Sequence, residues 1–140
     1  MALPNGPVTA SSEAEAVLFD LVDLYDRAYA AAAAELSLSP AQACVLGRLD
    51  ERRGMGGLAE ELGCDASNIT QIVARLEALG LVAREADPRD RRARLVARTS
   101  RGDEINDRFA ATFTFARTAV GRLSPDEQDQ LTALLRRALT

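Results

Sequence analysis

Five side chains near the middle of the chain, Ser67, Asn68, Thr70, Gln71 and Arg75, are spaced to project from one side of a helix. The first four are small or amide-bearing and uncharged. Asn and Gln amides can pair with adenine, and Ser or Thr hydroxyls can serve several bases, so this face suits hydrogen bonding to nucleobase edges. Arg75, one turn later, is placed for a phosphate or an intramolecular acid. A merely solvated helix face usually carries more Glu and Lys than this, which makes an ordinary amphipathic helix the weaker reading. A second group follows: Arg89, Asp90, Arg91, Arg92 and Arg94. Guanidinium groups lose their water readily, and they suit phosphates and the strong negative potential of a narrow minor groove.

Charge is distributed accordingly. The chain has 140 residues and a net charge of −4. Residues 1–83 carry 5 Arg against 12 acids, residues 84–101 carry 7 against 3, and residues 102–140 carry 5 against 6. Positive charge is thus concentrated on Arg84, Arg89, Arg91, Arg92, Arg94, Arg98 and Arg101. Counter-ion release depends on such a local patch more than on the total. Taken alone, a charge run describes a solvated, salt-bridged hairpin; its neighbours decide.

Other chemistry is poorly provided for. There is no His, no Lys and no Trp, so all 17 positive charges are Arg. The commonest general acid-base group and metal ligand is therefore missing. Cys44 and Cys64 have no imidazole to complete a zinc site, and two cysteines make no disulfide framework. No nucleophile–base pair is visible, so the sequence does not read as an enzyme, and no cofactor or metal is expected.

The elements that would position these residues can be read from periodicity. A hydrophobic share of 47% and a charged share of 27% suit one globular domain over 1–140. No apolar run approaches the roughly 20 residues of a membrane helix, and no secretory signal is visible; a soluble, cytoplasmic protein is the expectation. Residues 1–11 read as a loose arm. Ser12 with Glu15 has capping-box spacing. The helix that follows aligns Val17, Leu18, Leu21, Val22, Tyr25, Ala28, Tyr29 and Ala32 in one stripe. Ser39-Pro40-Ala41-Gln42 opens a second helix, expected through about Glu51, with Cys44, Val45 and Leu49 inward. Gly54, Gly56 and Gly57 interrupt the pattern, and a short helix spans Leu58 to Leu62. After a turn at Gly63, Asp65 can cap a helix from Ala66 to Leu79 that buries Ile69, Ile72, Val73, Leu76 and Leu79. Gly80 is its left-handed stop. Leu81–Glu85 and Arg94–Arg98 are expected strands around an Asp87-Pro88-Arg89-Asp90 turn. Thr99 begins a long helix with Ile105, Phe109, Phe113, Ala116 and Val120 on one face. Ser124-Pro125-Asp126-Glu127 starts the last helix, which uses Leu131, Leu134, Leu135 and Leu139.

A small residue at a helix crossing, Ala59, and a glycine in the turn, Gly63, make the middle segment a helix-turn-helix. With the arginine-bearing hairpin behind it, the fold class is mainly α: a winged helix-turn-helix with a small β-hairpin wing. Leu76-Glu77-Ala78-Leu79-Gly80-Leu81-Val82-Ala83-Arg84, then Asp87-Pro88-Arg89-Asp90-Arg91-Arg92, then Thr99-Ser100-Arg101-Gly102 resemble the MarR family of bacterial transcriptional regulators. The order of the flanking helices extends the similarity over nearly the whole chain. The resemblance implies a homodimer, with helices in 12–36 and 103–140 for dimerisation, a winged helix-turn-helix over 40–101 and a wing over about 81–98. It implies double-stranded DNA as partner, with recognition helices in the major groove of a pseudo-palindromic operator. It also implies that Asp90 orders the wing through an ion pair while Arg92 enters the minor groove, with Arg89 and Arg91 nearby. Many members release DNA when a small aromatic or phenolic effector binds. Two positions depart from the pattern: Met55-Gly56-Gly57-Leu58 is compressed, and Arg98 stands where the family is usually apolar. Arg98 would either loosen the base of the wing or add a phosphate contact.

Tyr25, Tyr29, Phe109, Phe113 and Phe115 could line an effector pocket, although aromatic residues at helical spacing more often form core or dimer interface. Cys64, in the turn, could be a reactive thiol at a helix start, but packing is the commoner role. From another class, a winged-helix protein-interaction module of antirepressor type would explain the acidic body. Such a module has no need of four arginines at positions 89, 91, 92 and 94.

Overall fold

The computed structural model describes residues 8–140; the first seven residues of the expected arm lie outside the described part. The elements are α1 (Glu13–Glu35), α2 (Pro40–Gly47), β1 (Arg53–Gly54), α3 (Met55–Leu62), α4 (Ala66–Ala78), β2 (Val82–Asp87), β3 (Asp90–Arg98), α5 (Ser100–Thr112), α6 (Phe115–Gly121) and α7 (Pro125–Leu139). The fold is mainly helical, with one three-stranded antiparallel sheet in the order β1-β3-β2. Arg53 and Gly54 face Val96 and Leu95, and β2 runs back along β3 from Val82 opposite Arg98 to Ala86 opposite Arg94.

Local capping chemistry accounts for three helix starts. The Ser39 hydroxyl accepts from the Gln42 amide at 3.1 Å while the Gln42 side chain accepts from the Ser39 amide at 3.0 Å. Ser124 and Glu127 make the same reciprocal pair at 3.2 and 2.9 Å. Each such cap is worth about 1 kcal/mol. Thr99 caps α5 by accepting from the Gly102 amide at 3.1 Å. At α1 the expected box is only half made. Ser12 accepts from the Glu15 amide, but the Glu15 carboxylate turns to the Ser11 amide and hydroxyl instead, and these bonds hold its pKa below the usual value.

The core lies where α2, α3 and α4 meet the sheet. Leu46, Leu58, Ile69, Leu76, Val45, Val73 and Val96 are its largest fully buried side chains. Tertiary packing moves several expected boundaries. α2 stops at Gly47, not Glu51, because the chain must reverse at once for Arg53 and Gly54 to pair with β3. Leu49 is buried as expected, but Cys44 is only half-buried. α3 starts at Met55, three residues earlier than its capping and propensity allow. Gly54 offers no side-chain cap, and Gly56 and Gly57 are poor helix formers. Burial of Leu58 and Ala59 at 0% and 7% exposure overrides that preference. The hairpin strands are longer than expected and run to the turn itself, so Arg91, Arg92 and Arg94 all sit on β3.

The expected long helix from Thr99 is broken. α5 ends at Thr112, Phe113 leaves the helical region (φ −82°, ψ 87°), and α6 starts at Phe115. On a continuous helix Phe113 and Phe115 would point about 200° apart. The break lets both rings meet Tyr25 edge-on, at 5.2 and 5.9 Å between centroids.

Candidate nucleic-acid interface

Gly63 makes the turn between α3 and α4 by adopting φ +62°, which L side chains rarely do. The Cys64 amide then donates to the Ala59 carbonyl at 3.0 Å, closing the helix end. α4 is thereby laid across the core, with Ile69, Val73 and Leu76 fully buried and Ile72 packed against them. Its outward side carries Ser67, Asn68, Thr70, Gln71 and Arg75, all exposed. The Thr70 hydroxyl donates to the Ala66 carbonyl at 2.8 Å and so offers its lone pairs outward. Two expectations need correcting. Asp65 stands at the cap position with extended backbone but accepts no capping bond through its side chain. Leu79, expected inside, is 48% exposed because it lies beyond the last helical turn.

Beside α4 the hairpin is ordered by two aspartates. Asp87 Oδ1 accepts from the Arg89 amide at 2.8 Å, and Asp90 Oδ1 accepts from the Arg92 amide at 3.0 Å. Asp90 thus holds the turn by a backbone hydrogen bond; among the described residues it makes no ion pair of the kind the resemblance implies. Arg89, Arg91, Arg92 and Arg94 are exposed, and no acid of the described residues engages them. Other arginines around the sheet are engaged. Arg84 meets Glu77 at 3.6 Å, Arg52 meets Glu85 at 3.1 Å, and Glu61 accepts from both Arg48 and Arg53. Arg98, at the base of the hairpin, turns inward. Its Nε donates to Asp103 Oδ1 at 2.8 Å and its Nη1 to the Leu46 carbonyl at 3.0 Å. Sequence reading missed this Arg98–Asp103–Leu46 junction. The signal available was a charged residue where strand alternation asks for an apolar one, followed by an acid in the first helical turn.

Tyr25, Tyr29, Phe109 and Phe113 do come together, with Phe115 beside them. Tyr29 lies 4.8 Å from Phe109 and 5.1 Å from Phe113 between ring centroids. Burial and the neighbouring Cys44 thiol push the Tyr29 phenol up to about 12. The rings fill the space between one another. The nearby cleft, of about 290 Å³, lies at the α5–α6 break, and of the four only Phe113 lines it; Phe115, Thr112, Thr114, Thr118 and Arg122 are its other main walls. Among the described residues no acid or cysteine cluster could hold a metal, and no helix is long and apolar enough to cross a membrane. Both cysteines are free and half-buried.

A helix-turn-helix whose second helix lies beside an arginine-bearing hairpin, on this order of elements, is the winged helix-turn-helix arrangement. Residues 36–93 match the sequence model of the MarR family. Over that segment the chain is similar to the MarR family. It is 40% identical over 75 residues to an uncharacterized HTH-type transcriptional regulator, YkoM, of Bacillus subtilis, an alignment covering 52% of this chain and 48% of that protein. It is 35% identical over 77 residues to the transcriptional regulator HosA of Escherichia coli O111:H-, covering 52% and 55%. The aligned part thus spans about half the length of these curated relatives. The fold is similar to that of wild-type apo MarR from E. coli, with a TM-score of 0.77 at 24% identity over 94% of this chain and 100% of that one. It is also similar to a mutant MepR of S. aureus bound to an oligodeoxyribonucleotide, with a TM-score of 0.63 at 22% identity over 89% and 94%. The matched segment runs from the end of α1 into β3, and so contains α4 and the hairpin tip.

Proposed function

We propose that the protein is a sequence-specific DNA-binding transcriptional regulator, a repressor, that acts as a homodimer on a pseudo-palindromic operator. α4 enters the major groove, where Ser67, Asn68, Thr70 and Gln71 read base edges and Arg75 reaches a phosphate. The hairpin follows the backbone into the adjacent minor groove with Arg92, flanked by Arg89, Arg91 and Arg94, while Asp90 holds the turn. A small aromatic or phenolic effector bound beside the α5–α6 break releases the DNA. The observation that carries this reading is the contrast in ion pairing around the sheet: Arg48, Arg52, Arg53, Arg84 and Arg98 are matched with acids, whereas four at the hairpin tip and along β3 are matched with none among the described residues. A surface evolved to stay solvated gains nothing from leaving them unmatched beside the polar face of Ser67, Asn68, Thr70 and Gln71.

Selection from random duplex DNA at near-physiological salt tests it. An enriched inverted repeat, with half-sites roughly 10 bp apart, is the expected result. Arg92→Ala should weaken binding to unrelated sequences about tenfold and lower the salt slope by about one, while Asn68→Ala or Gln71→Ala should relax preference at particular bases. An unchanged affinity and slope in Arg92→Ala would remove the hairpin from the interface. No retention of DNA at all would favour the protein-interaction module.

A further inference from the structure

Arg98 ends β3, and its guanidinium joins that strand to α2 and α5. Its side chain is 15% exposed, whereas that of its partner Asp103 is 60% exposed. Nε is held by Asp103 in the first turn of α5, and Nη1 by the carbonyl of Leu46 in the last turn of α2. Both are favourable places. Carbonyls of a final helical turn lack intrahelical partners, and an acid near a helix start lies at the positive end of its dipole. A planar guanidinium with donors on several edges can satisfy both partners at once, which an apolar side chain at this position could not do.

We infer that Arg98 is a positioning residue for the wing, an ionic strap that sets the angle of the β2–β3 hairpin against α2 and α5. The inference rests on the proposed role of the hairpin in DNA binding. The β3 backbone that ends at Arg98 carries Arg94 and Arg92 on the same face, two and three pleats away. A small rotation at the base is therefore magnified at the tip. The residue acts without touching DNA: its side chain is 15% exposed, and Nε and Nη1 are both held by partners within the fold.

Arg98→Leu, Asp103→Ala and the double variant test the strap in the intact chain. Two measurements are made: hydrogen exchange at the β3 amides and Thr99 in the free protein, and binding to the selected duplex across a range of salt. Each single variant should speed exchange and weaken binding about tenfold with the salt slope unchanged, and the double should be no weaker than either single. Asp103→Ala is the decisive arm. Removing a negative charge near DNA should tighten binding on electrostatic grounds alone, whereas losing the strap should loosen it. Tighter binding by Asp103→Ala, or a slope lowered by about one in Arg98→Leu, overturns the inference in favour of a phosphate contact. Unchanged exchange overturns it whether or not DNA is bound. A wild-type protein that captures no duplex overturns the DNA-binding reading instead, and exchange in the free protein then decides the strap alone.

Discussion

Tyr29 illustrates how one side chain can be legible in type and illegible in role. Its place in the stripe of α1 follows from spacing, but its environment is made by Phe109 and Phe113 from the far end of the chain and by Cys44 from α2. Burial first, and the thiol second, favour the neutral phenol, pushing its pKa from 10.0 up to about 12. The folded state thus keeps a proton that the unfolded state gives up sooner. The stability this contributes is complete below pH 10 and is lost as pH rises towards 12. Alkaline unfolding followed by tyrosinate absorbance should show this loss in the wild type, and Tyr29→Phe should lack that component. Identical pH dependence in both proteins would sink the assignment. The outward residues of α4 behaved differently: Ser67, Asn68, Thr70 and Gln71 were legible because exposure on a helix follows from periodicity alone. The Arg98 junction was not, because its partners lie 52 and 5 positions away in the chain.

At the scale of elements, the junction between β2 and α5 shows how tightly the wing is set. The Thr99 amide donates to the Leu81 carbonyl at 3.0 Å, and the Thr99 hydroxyl donates to the Gly80 carbonyl at 2.6 Å. α5 is drawn so close that a Cβ on Gly102 would lie 2.0 Å from the Leu81 carbonyl oxygen, a backbone atom that cannot swing away. Gly102→Ala should therefore cost about 1–3 kcal/mol in denaturant unfolding. Gly121→Ala, with open space around its Cβ, should stay within about 0.5 kcal/mol of wild type. Equal effects would mean that α5 can slide without penalty. Thr99-Ser100-Arg101-Gly102 was readable as a motif, and the structure supplies its reason: cap, anchor and close approach are compressed into four residues. The break at Phe113 was not readable. Neither Pro nor Gly marks it; it exists because two rings gain a shared partner on α1.

Across the whole molecule, a large apolar surface stands without partners among the described residues. Val17, Leu18, Leu21, Val22 and Leu24 of α1 are 42–60% exposed, and Leu134 and Leu139 of α7 are 64% and 83% exposed. Burying one such leucine returns about 1.5–3 kcal/mol, so a self-complementary contact through these helices is favourable. In the proposed homodimer this surface is the seam. Leu21→Glu combined with Leu134→Glu should halve the mass seen in sedimentation equilibrium and weaken binding to an inverted repeat far more than to a single half-site. An unchanged mass would place the dimer contact elsewhere or remove it.

What this sequence determined by itself is whatever depends on local chemistry. Capping at Ser39 and Ser124, the left-handed turn at Gly63, the hairpin tip at Asp87–Asp90 and the outward face of α4 each follow from backbone sterics and periods of 3.6 or 2. Tertiary structure alone decided where α2 and α3 change over, where the long C-terminal helix breaks, and which arginines are spent on internal acids. Those outcomes turn on contacts between distant parts of the chain, where the burial of Leu58 outweighs helix propensity and a single guanidinium must choose among partners that only folding brings within reach.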